Sequence, residues 1–291
     1  MGCMKRLKGK VALVTGGSRG AGRGIAVELG KAGATVYVTG RSVDGGSTNN
    51  WPGTIHETVS QIEASGGKGI AVRCDHTNDS DTKSVIDRIR KEEGKLDILI
   101  NNVWGGNELS IEERPFWELP IEHWDTMFTA GVRAQIATNH FAIPLLRETK
   151  HGLILHTTFW DEYKYTGNFY YDLAKHALTR MAYGLSIELK REHIAVIALS
   201  PGFMRTELVL KAFQTDEDHW HEVKELTQTE TPHYIGRAVV ALASDPQVMK
   251  RSGQVLRVGD LAKEYQFTDI DGKYHPAFTI SRQEGNENKS H

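Results

Sequence analysis

Short apolar runs rich in β-branched residues alternate along this chain with longer segments of helical periodicity. The runs have the length and composition of buried strands, and the longer segments repeat apolar residues at the spacing of one helix face. Repeated alternation of this kind predicts an α/β fold, a doubly wound parallel sheet of seven strands with helices on both faces. The predicted strands are Val11–Val14, Ala34–Thr39, Gly69–Arg73, Leu96–Ile100, Gly152–Thr158, Ile194–Leu199 and Gly253–Val258.

A glycine-rich turn follows the first predicted strand. Its glycines stand too close together for a helix interior, so we expect the helix after them, beginning over Ile25–Leu29 and stopping near Gly33. Strand, glycine turn and helix form a geometry that binds phosphate, because the free N–H groups and the dipole at the helix start attract an anion. The alternative is a glycine-rich corner without a ligand. The glycines are Gly16, Gly17, Gly20, Gly22 and Gly24.

Two arginines stand near the predicted phosphate site. Arg41 follows the second strand, where a dinucleotide-binding fold often carries an acidic residue for the ribose hydroxyls, and Arg19 lies in the glycine turn. Two cations in place of a carboxylate favour a 2′-phosphate, and therefore NADP over NAD as the cofactor. The alternative is that both arginines are solvated surface charges.

A tyrosine and a lysine share one face of a predicted helix. Tyr171 and Lys175 stand four residues apart near the start of the helix predicted over Phe169–Arg191. A phenol has a pKa of about 10, but a nearby ammonium favours the phenolate and lowers that pKa. Tyr171 can then exchange a proton with a carbonyl or alcohol oxygen while hydride moves to or from a nicotinamide.

The order of these features resembles the short-chain dehydrogenase/reductase family from about Lys8 to Gly259. The matching motifs are Thr15-Gly16-x-x-x-Gly20-x-Gly22, Asn101-Asn102, Tyr171-x-x-x-Lys175 and Pro201-Gly202. The resemblance implies a Rossmann-like doubly wound fold and one NADP-binding catalytic domain over residues 8–260. Within it, residues 203–230 would form a mobile lid over the substrate.

The resemblance also assigns roles to individual residues. Tyr171 and Lys175 are the expected catalytic pair, joined by Thr158, which stands where the family places a serine to hold the substrate oxygen. Thr157 is adjacent, but neighbouring strand residues point to opposite faces, so only one of the two is expected to serve. The expected cofactor-binding residues are Gly16, Ser18, Arg19, Gly20, Gly22, Arg41, Ser42, Asp75, Asn101, Tyr171, Lys175, Pro201, Gly202 and Thr206.

The chain departs from the family pattern at three places, and two of them, Thr158 and Gly131, support a second interpretation. Thr158 replaces the serine, Val103-Trp104 replaces the Ala-Gly after the two asparagines, and Gly131 replaces an asparagine in a helix predicted over Trp124–Leu146. Glycine in a helix costs ~1 kcal/mol relative to alanine, so we expect a kink or a close approach there. Trp104 either narrows the pocket or anchors the core. The alternative to an NADP-dependent oxidoreductase is therefore an NADP-binding sensor or scaffold with weakened chemistry.

Composition narrows the expected partners and location. The 291 residues carry a net charge of −2, which gives no reason to expect nucleic acid or an acidic membrane surface as a partner. The two cysteines, Cys3 and Cys74, predict no disulfide framework, and the N-terminus lacks an apolar signal segment, so we expect a cytoplasmic protein. The 13 histidines form no metal-binding motif, and no metal is expected.

The expected partners are a small carbonyl or alcohol substrate and, by resemblance only, further copies of the chain in a homodimer or homotetramer. Residues 261–291 form a C-terminal extension beyond the family core, and its last residues are expected to be disordered. Aromatic residues predict that part of this extension packs, with a neighbouring subunit as the candidate surface. They are Tyr265, Phe267, Tyr274 and Phe278.

Overall fold

The computed structural model describes residues 5–44, 51–109, 114–162 and 164–280. The strands are β1 (Val11–Val14), β2 (Thr35–Gly40), β3 (Lys68–Arg73), β4 (Ile98–Asn101), β5 (Gly152–Thr157), β6 (Ile194–Ser200) and β7 (Val255–Arg257). They form one parallel sheet in the order β3-β2-β1-β4-β5-β6-β7, which confirms the predicted fold class. The order reverses between β1 and β4, and ligands bind such sheets in the crevice at this reversal.

Helices pack on both faces of the sheet. They are α1 (Gly20–Lys31), α2 (Ile55–Ala64), α3 (Asp79–Glu93), α4 (Glu122–Phe128), α5 (Ala134–Leu146), α6 (Phe169–Glu188), α7 (Glu207–Ala212), α8 (Pro232–Ser244) and α9 (Val258–Tyr265). Helices α1, α2, α8 and α9 cover one face through residues such as Ile25 and Tyr234. Helices α3, α5 and α6 cover the other through residues such as Val85 and Ala182. Across the described ranges, none of the helices combines the length and apolar composition needed to cross a bilayer.

The structure corrects the predicted start of α1. The helix begins at Gly20, so Gly22 and Gly24 lie inside it rather than in a preceding turn. A Cβ on Gly24 would stand 1.9 Å from the carbonyl oxygen of Pro232, and a Cβ on Gly22 would stand 2.2 Å from that of Gly16. Close backbone packing therefore outweighs the helix propensity of about 1 kcal/mol that each glycine gives up.

The helix predicted over Trp124–Leu146 is interrupted in the structure. Helix α4 ends at Phe128, a π-helical turn spans Thr129–Arg133, and α5 continues from Ala134. Gly131 lies in that turn, and a Cβ on it would stand 2.6 Å from two ring carbons of Trp104. The close approach expected at this glycine is confirmed, and the indole of Trp104 is the group that approaches.

Part of the segment after α9 packs on its own chain. The hydroxyl of Tyr234 in α8 donates to the carbonyl of His275 at 3.0 Å and accepts from its N–H at 3.1 Å. Asp269 accepts from the N–H and the hydroxyl of Thr231 at 2.7 and 2.6 Å, which fixes the start of α8. The boundary expected at residue 260 falls inside α9. The last residues, for which we expect disorder, lie outside the described residues.

The packing of α1 on α8 yields a stability prediction. We expect Gly24→Ala to lower the free energy of unfolding by about 2 kcal/mol or more, because the two helices must separate to admit the methyl group. Gly184→Ala in α6 is the matched control, since an added Cβ there meets nothing within 4 Å. The control should be neutral or gain about 0.5–1 kcal/mol from helix propensity. Urea unfolding of both variants tests this, and equal effects would contradict it.

Candidate functional site

A cleft of about 580 Å³ opens where β1, β4, β5 and β6 end. It gathers nearly all the residues that the sequence proposed for the site, although they come from distant parts of the chain. Two of the proposed residues, Gly22 and Asn101, do not line it. Those that do are Gly16, Ser18, Arg19, Gly20, Arg41, Ser42, Asp75, Thr158, Tyr171, Lys175, Pro201, Gly202 and Thr206.

Asn101 lies behind the cleft wall, completely buried at the end of β4. Its side-chain amide donates to Asn139 at 2.8 Å, and Asn139 in turn contacts the ring of His156 at 3.4 Å. The next residue, Asn102, faces the cleft instead and donates to the carbonyl of Gly16 at 3.0 Å. The sequence pointed to this doublet, but only the fold shows which asparagine reaches the cleft.

A carboxylate occupies the start of α1. The N–H of Gly20 donates to Glu207 Oε2 at 2.8 Å, and Arg23 contacts Glu207 Oε1 at 3.2 Å. Helix α1 has no acidic residue in its own first turn and no side-chain cap, so this anion comes from α7, far along the chain. The helix start thus binds a carboxylate of the same chain, and its N–H donors and dipole also suit a phosphate. No local sequence signal marked Glu207 for this contact.

The two predicted arginines lie at the end of the cleft beyond β2. Arg19 donates from Nη2 to the hydroxyl of Ser42 at 2.8 Å and to the carbonyl of Gly53 at 3.0 Å. Arg41 is exposed at the end of β2. Burial lowers the pKa of Arg19, and the positive charge of Arg41 acts in the same direction. The guanidinium groups of Arg19 and Arg41 therefore lie close enough to repel each other. A bound dianion would offset this repulsion.

Asp75 follows β3 on the same side of the cleft. Its carboxylate accepts from the N–H and the hydroxyl of Thr77 at 3.0 and 2.7 Å. Burial opposes ionisation, but the hydrogen bonds from Thr77 outweigh it, so the pKa of Asp75 lies below its ordinary value. The carboxylate is therefore charged and fixed in place at neutral pH.

Tyr171 and Lys175 project from the first turns of α6 into the centre of the cleft. Asn168 caps this helix by accepting from the N–H of Tyr171 at 3.1 Å. Burial raises the pKa of Tyr171, with a smaller contribution from Asp172, so the expected lowering by Lys175 is not observed. Burial also lowers the pKa of Lys175 to about 7. Desolvation outweighs the attraction of the pair, and the phenol keeps its proton at neutral pH.

Both candidate threonines line the cleft, because β5 ends at Thr157 and the alternation of side chains ends with it. Thr157 donates to Asn102 Oδ1 at 3.1 Å. Thr158 donates to the backbone carbonyl of Lys175 at 2.7 Å and ties β5 to α6. In this arrangement the proton of the Thr158 hydroxyl is directed at the helix backbone.

Trp104 was noted in the sequence without a settled role, and the structure places it beside the pair. Its ring meets Tyr171 edge-on at 5.6 Å between centroids, and Lys175 Nζ stands 3.7 Å from the centroid of its ring. It also packs against the core cluster that contains Met127 and Leu178. Trp104 therefore both narrows the cleft and contributes to the core.

The expected lid contributes one side of the cleft and contacts the glycine turn at Gly20. Residues 203–209 include several that line it, such as Met204 and Thr206. Arg205 is buried beneath them, stacks on Trp220 at 3.7 Å and contacts Glu217 at 3.3 Å. A β-bridge between Met204 and Glu230 joins the two ends of the segment. The segment is thus a compact unit attached at both ends.

One group of possible metal ligands occurs among the described residues. Asp269, Asp271 and His275 bring ligand atoms within 4.8 Å of one another. The carboxylate of Asp269 is occupied by hydrogen bonds from Thr231 and Ile270, so we interpret the group as a helix cap.

Comparison with known proteins shows the family. Residues 10–217 match the family model for short chain dehydrogenase. Dehydrogenase/reductase SDR family member 1 of Mus musculus is 36% identical over 276 residues, which cover 92% of this chain and 85% of that protein. The human protein of the same name is 34% identical over 275 residues, with the same coverage of 92% and 85%.

Solved structures agree with this match. A short chain dehydrogenase from Mycobacterium thermoresistibile shares the fold with a TM-score of 0.79 at 24% identity, over 94% of this chain and 95% of that one. A 7α-hydroxysteroid dehydrogenase in complex with NADH and 7-oxo glycochenodeoxycholic acid has a TM-score of 0.72 at 26% identity, over 87% and 94%. The chain therefore belongs to the short-chain dehydrogenase/reductase family of oxidoreductases, which use a nicotinamide cofactor and small-molecule substrates.

Proposed function

We propose that this chain is an NADP-dependent oxidoreductase that transfers hydride between the nicotinamide and a carbonyl or alcohol substrate, with Tyr171 as general acid and base. One observation carries the proposal. A single cleft joins an anion-binding helix start at Gly20 to the Tyr171/Lys175 pair, so one elongated ligand can reach both.

Residues at successive places along the cleft would each hold a different part of the cofactor. Gly20 and Ser18 at the start of α1 suit its phosphates, and Asp75 suits the adenine end. Pro201, Gly202 and Thr206 lie on the side of the cleft proposed for the nicotinamide. When bound, the cofactor supplies or accepts the hydride. Gly22 and Asn101 would act from behind the wall, by allowing the turn to pack and by fixing the end of β4.

Side chains of the cleft would carry out the proton transfer that accompanies hydride transfer. Tyr171 is protonated at neutral pH because burial raises its pKa, so it can donate to a carbonyl oxygen as the carbonyl carbon is reduced. Lys175 would orient the ribose and stabilise the phenolate that remains. Thr158 can hold the substrate oxygen after its hydroxyl rotates away from the carbonyl of Lys175. The protonated phenol is the form that donates in carbonyl reduction, and the phenolate is the form that accepts a proton in alcohol oxidation.

The two arginines at the end of the cleft beyond β2 support NADP as the cofactor. A 2′-phosphate carries negative charge that Arg19 and Arg41 can each contact with charge-assisted hydrogen bonds. Ser42 already positions Arg19 at 2.8 Å and can donate its own hydroxyl to the same group.

The second candidate is an NADP-binding sensor or scaffold. The contact of Thr158 with the carbonyl of Lys175 favours it, because that contact directs the hydroxyl away from a substrate. The two candidates differ in one observable: the sensor binds NADPH without oxidising it in the presence of carbonyl substrates.

Removal of one hydroxyl tests the mechanism. We expect Tyr171→Phe to lose roughly 10²- to 10⁴-fold in turnover while it still binds NADPH, because the proton donor is gone and the cofactor contacts remain. Tyr170→Phe is the control, since this neighbouring ring packs against His123. NADPH oxidation is followed with a panel of aldehydes, ketones and quinones. Unchanged turnover in Tyr171→Phe would exclude the mechanism, and binding without turnover in the wild type would favour the sensor.

The choice of cofactor depends on the two arginines. We expect Arg19→Ala combined with Arg41→Ala to lower the ratio of NADPH to NADH affinity by about 100-fold, because each lost charged hydrogen bond contributes roughly tenfold. Arg147→Ala, which removes a surface arginine paired with Glu192, should leave the ratio unchanged. Fluorescence titration with both cofactors measures it, and an unchanged ratio in the double variant would contradict the 2′-phosphate assignment.

Glu207 should compete with the cofactor for the start of α1. We expect Glu207→Gln to bind NADPH about fivefold more tightly at low salt, because a carboxylate on the helix N-terminus must leave before a phosphate enters. Glu57→Gln is the matched control, since Glu57 also pairs with Arg23, at 3.1 Å, but makes no contact with Gly20. Equal or weaker NADPH binding by Glu207→Gln would show that no such competition exists.

A further inference from the structure

The ammonium of Lys175 faces aromatic rings in the structure. Its Nζ stands 3.7 Å from the centroid of the Trp104 ring and 5.5 Å from that of Tyr171. Among the described residues no carboxylate contributes to its pKa, which burial alone lowers to about 7. The π face of Trp104 therefore lies nearer to this amine than the ring of Tyr171 does.

The indole of Trp104 is held by two glycines. A Cβ on Gly131, in the π-helical turn, would stand 2.6 Å from Cε3 and Cζ3 of the ring. A Cβ on Gly106 would stand 2.6 Å from Cζ2. The ring fits between the two glycines because neither has a side chain. Any larger residue at either position would occupy part of its space. The position of the ring, and with it the face presented to Lys175, is thus built into the backbone.

We propose that Trp104 is a positioning residue, whose indole face holds the ammonium of Lys175 in the cleft and stabilises its charged form. An aromatic face carries negative charge density and attracts a cation most strongly where water is excluded. The proposal rests on the proposed function, because that function gives Lys175 its place beside Tyr171. It also connects two departures from the family motifs, Trp104 and Gly131, as parts of one contact.

The competing explanation is that Trp104 only fills space. Two substitutions separate the explanations: Trp104→Phe keeps an aromatic face, whereas Trp104→Leu keeps apolar bulk without one. Tyr171, on the same helix, is an ionisable neighbour of Lys175, with its ring centroid 5.5 Å from Nζ, and no carboxylate among the described residues contributes to the pKa of Lys175. The cleft wall after β4 and at the end of β5 contributes Trp104, Thr157 and Thr158, whose side chains do not titrate.

The first measurement is the pKa of Lys175 without cofactor. The rate of acetylation at this lysine by acetic anhydride, followed by peptide mass spectrometry as a function of pH, reports the fraction of neutral amine. We expect Trp104→Phe to titrate close to the wild type and Trp104→Leu to titrate about one unit lower, because loss of the π face disfavours the ammonium. Equal titration of Trp104→Leu and wild type would overturn the proposal.

Gly131→Ala perturbs the same contact while leaving the indole of Trp104 intact. It therefore provides a second test if a Trp104 variant fails to fold. The added methyl group must displace the ring, so we expect the Lys175 titration to shift in the same direction as in Trp104→Leu. In the Trp104→Leu background, Gly131→Ala should add little, because the contact is already lost. Additive shifts in the double variant would show independent effects and would overturn the proposal.

Turnover separates this inference from the proposed function. In carbonyl reduction, activity should be lost as pH rises through the pKa of Lys175, so Trp104→Leu should move the alkaline limb of kcat about one unit lower, with a smaller effect on KM. If the wild type shows no turnover while the acetylation shift is present, the contact stands and the proposed function fails. If the wild type oxidises NADPH and Lys175 titrates at the same pH in Trp104→Leu as in the wild type, this inference fails and the proposed function stands.

Discussion

The cleft depends on the close backbone packing at the start of α1. Gly24 meets the backbone of Pro232 and Gly22 meets that of Gly16, so the helix lies nearer to β1 and α8 than any side chain would permit. This approach directs the N–H of Gly20 into the cleft. Gly22 and Gly24 each lower the intrinsic stability of the helix by about 1 kcal/mol, and the buried apolar face that α1 shares with α8 offsets that cost. The anion site is therefore a product of tertiary packing.

Burial at the other end of the cleft acts on two groups with opposite consequences. It makes Tyr171 a weaker acid that retains its proton, and it makes Lys175 a weaker base that tends to lose one. Desolvation disfavours charge whichever group carries it, so a site that needs an ammonium must compensate. Trp104 is the compensating group that the described residues provide, and a bound anionic cofactor would add to it through its phosphates.

The sequence predicts those features that depend on local periodicity or on spacing within one element. The seven strands, the pair at Tyr171 and Lys175, and the turn that leads into α1 are all local in this sense. It does not predict the hydrogen bond from the Gly20 N–H to Glu207, or the contact of Trp104 with Gly131. It also does not predict that Asn101 is buried behind the cleft while Asn102 faces it. Each of these joins residues from different elements, and their geometry is set only when the sheet and helices pack. The start of α1 was mispredicted for the same reason.

The C-terminal tail packs against the segment that follows β5. The family model matches residues 10–217 and the curated relatives match 92% of the chain, and the tail after α9 packs beside residues that line the cleft. There Phe278 meets Phe159 at 5.9 Å, Lys164 donates to the carbonyl of Ile280 at 3.2 Å, and the N–H of Ile280 donates to the buried carboxylate of Asp161. Because Asp161 lies in the segment that leaves β5, the tail is anchored just beyond the end of this strand. Phe159 lines the cleft and lies 6.3 Å from Tyr171 between ring centroids, so the tail supports the part of the cleft wall beside the proposed proton donor.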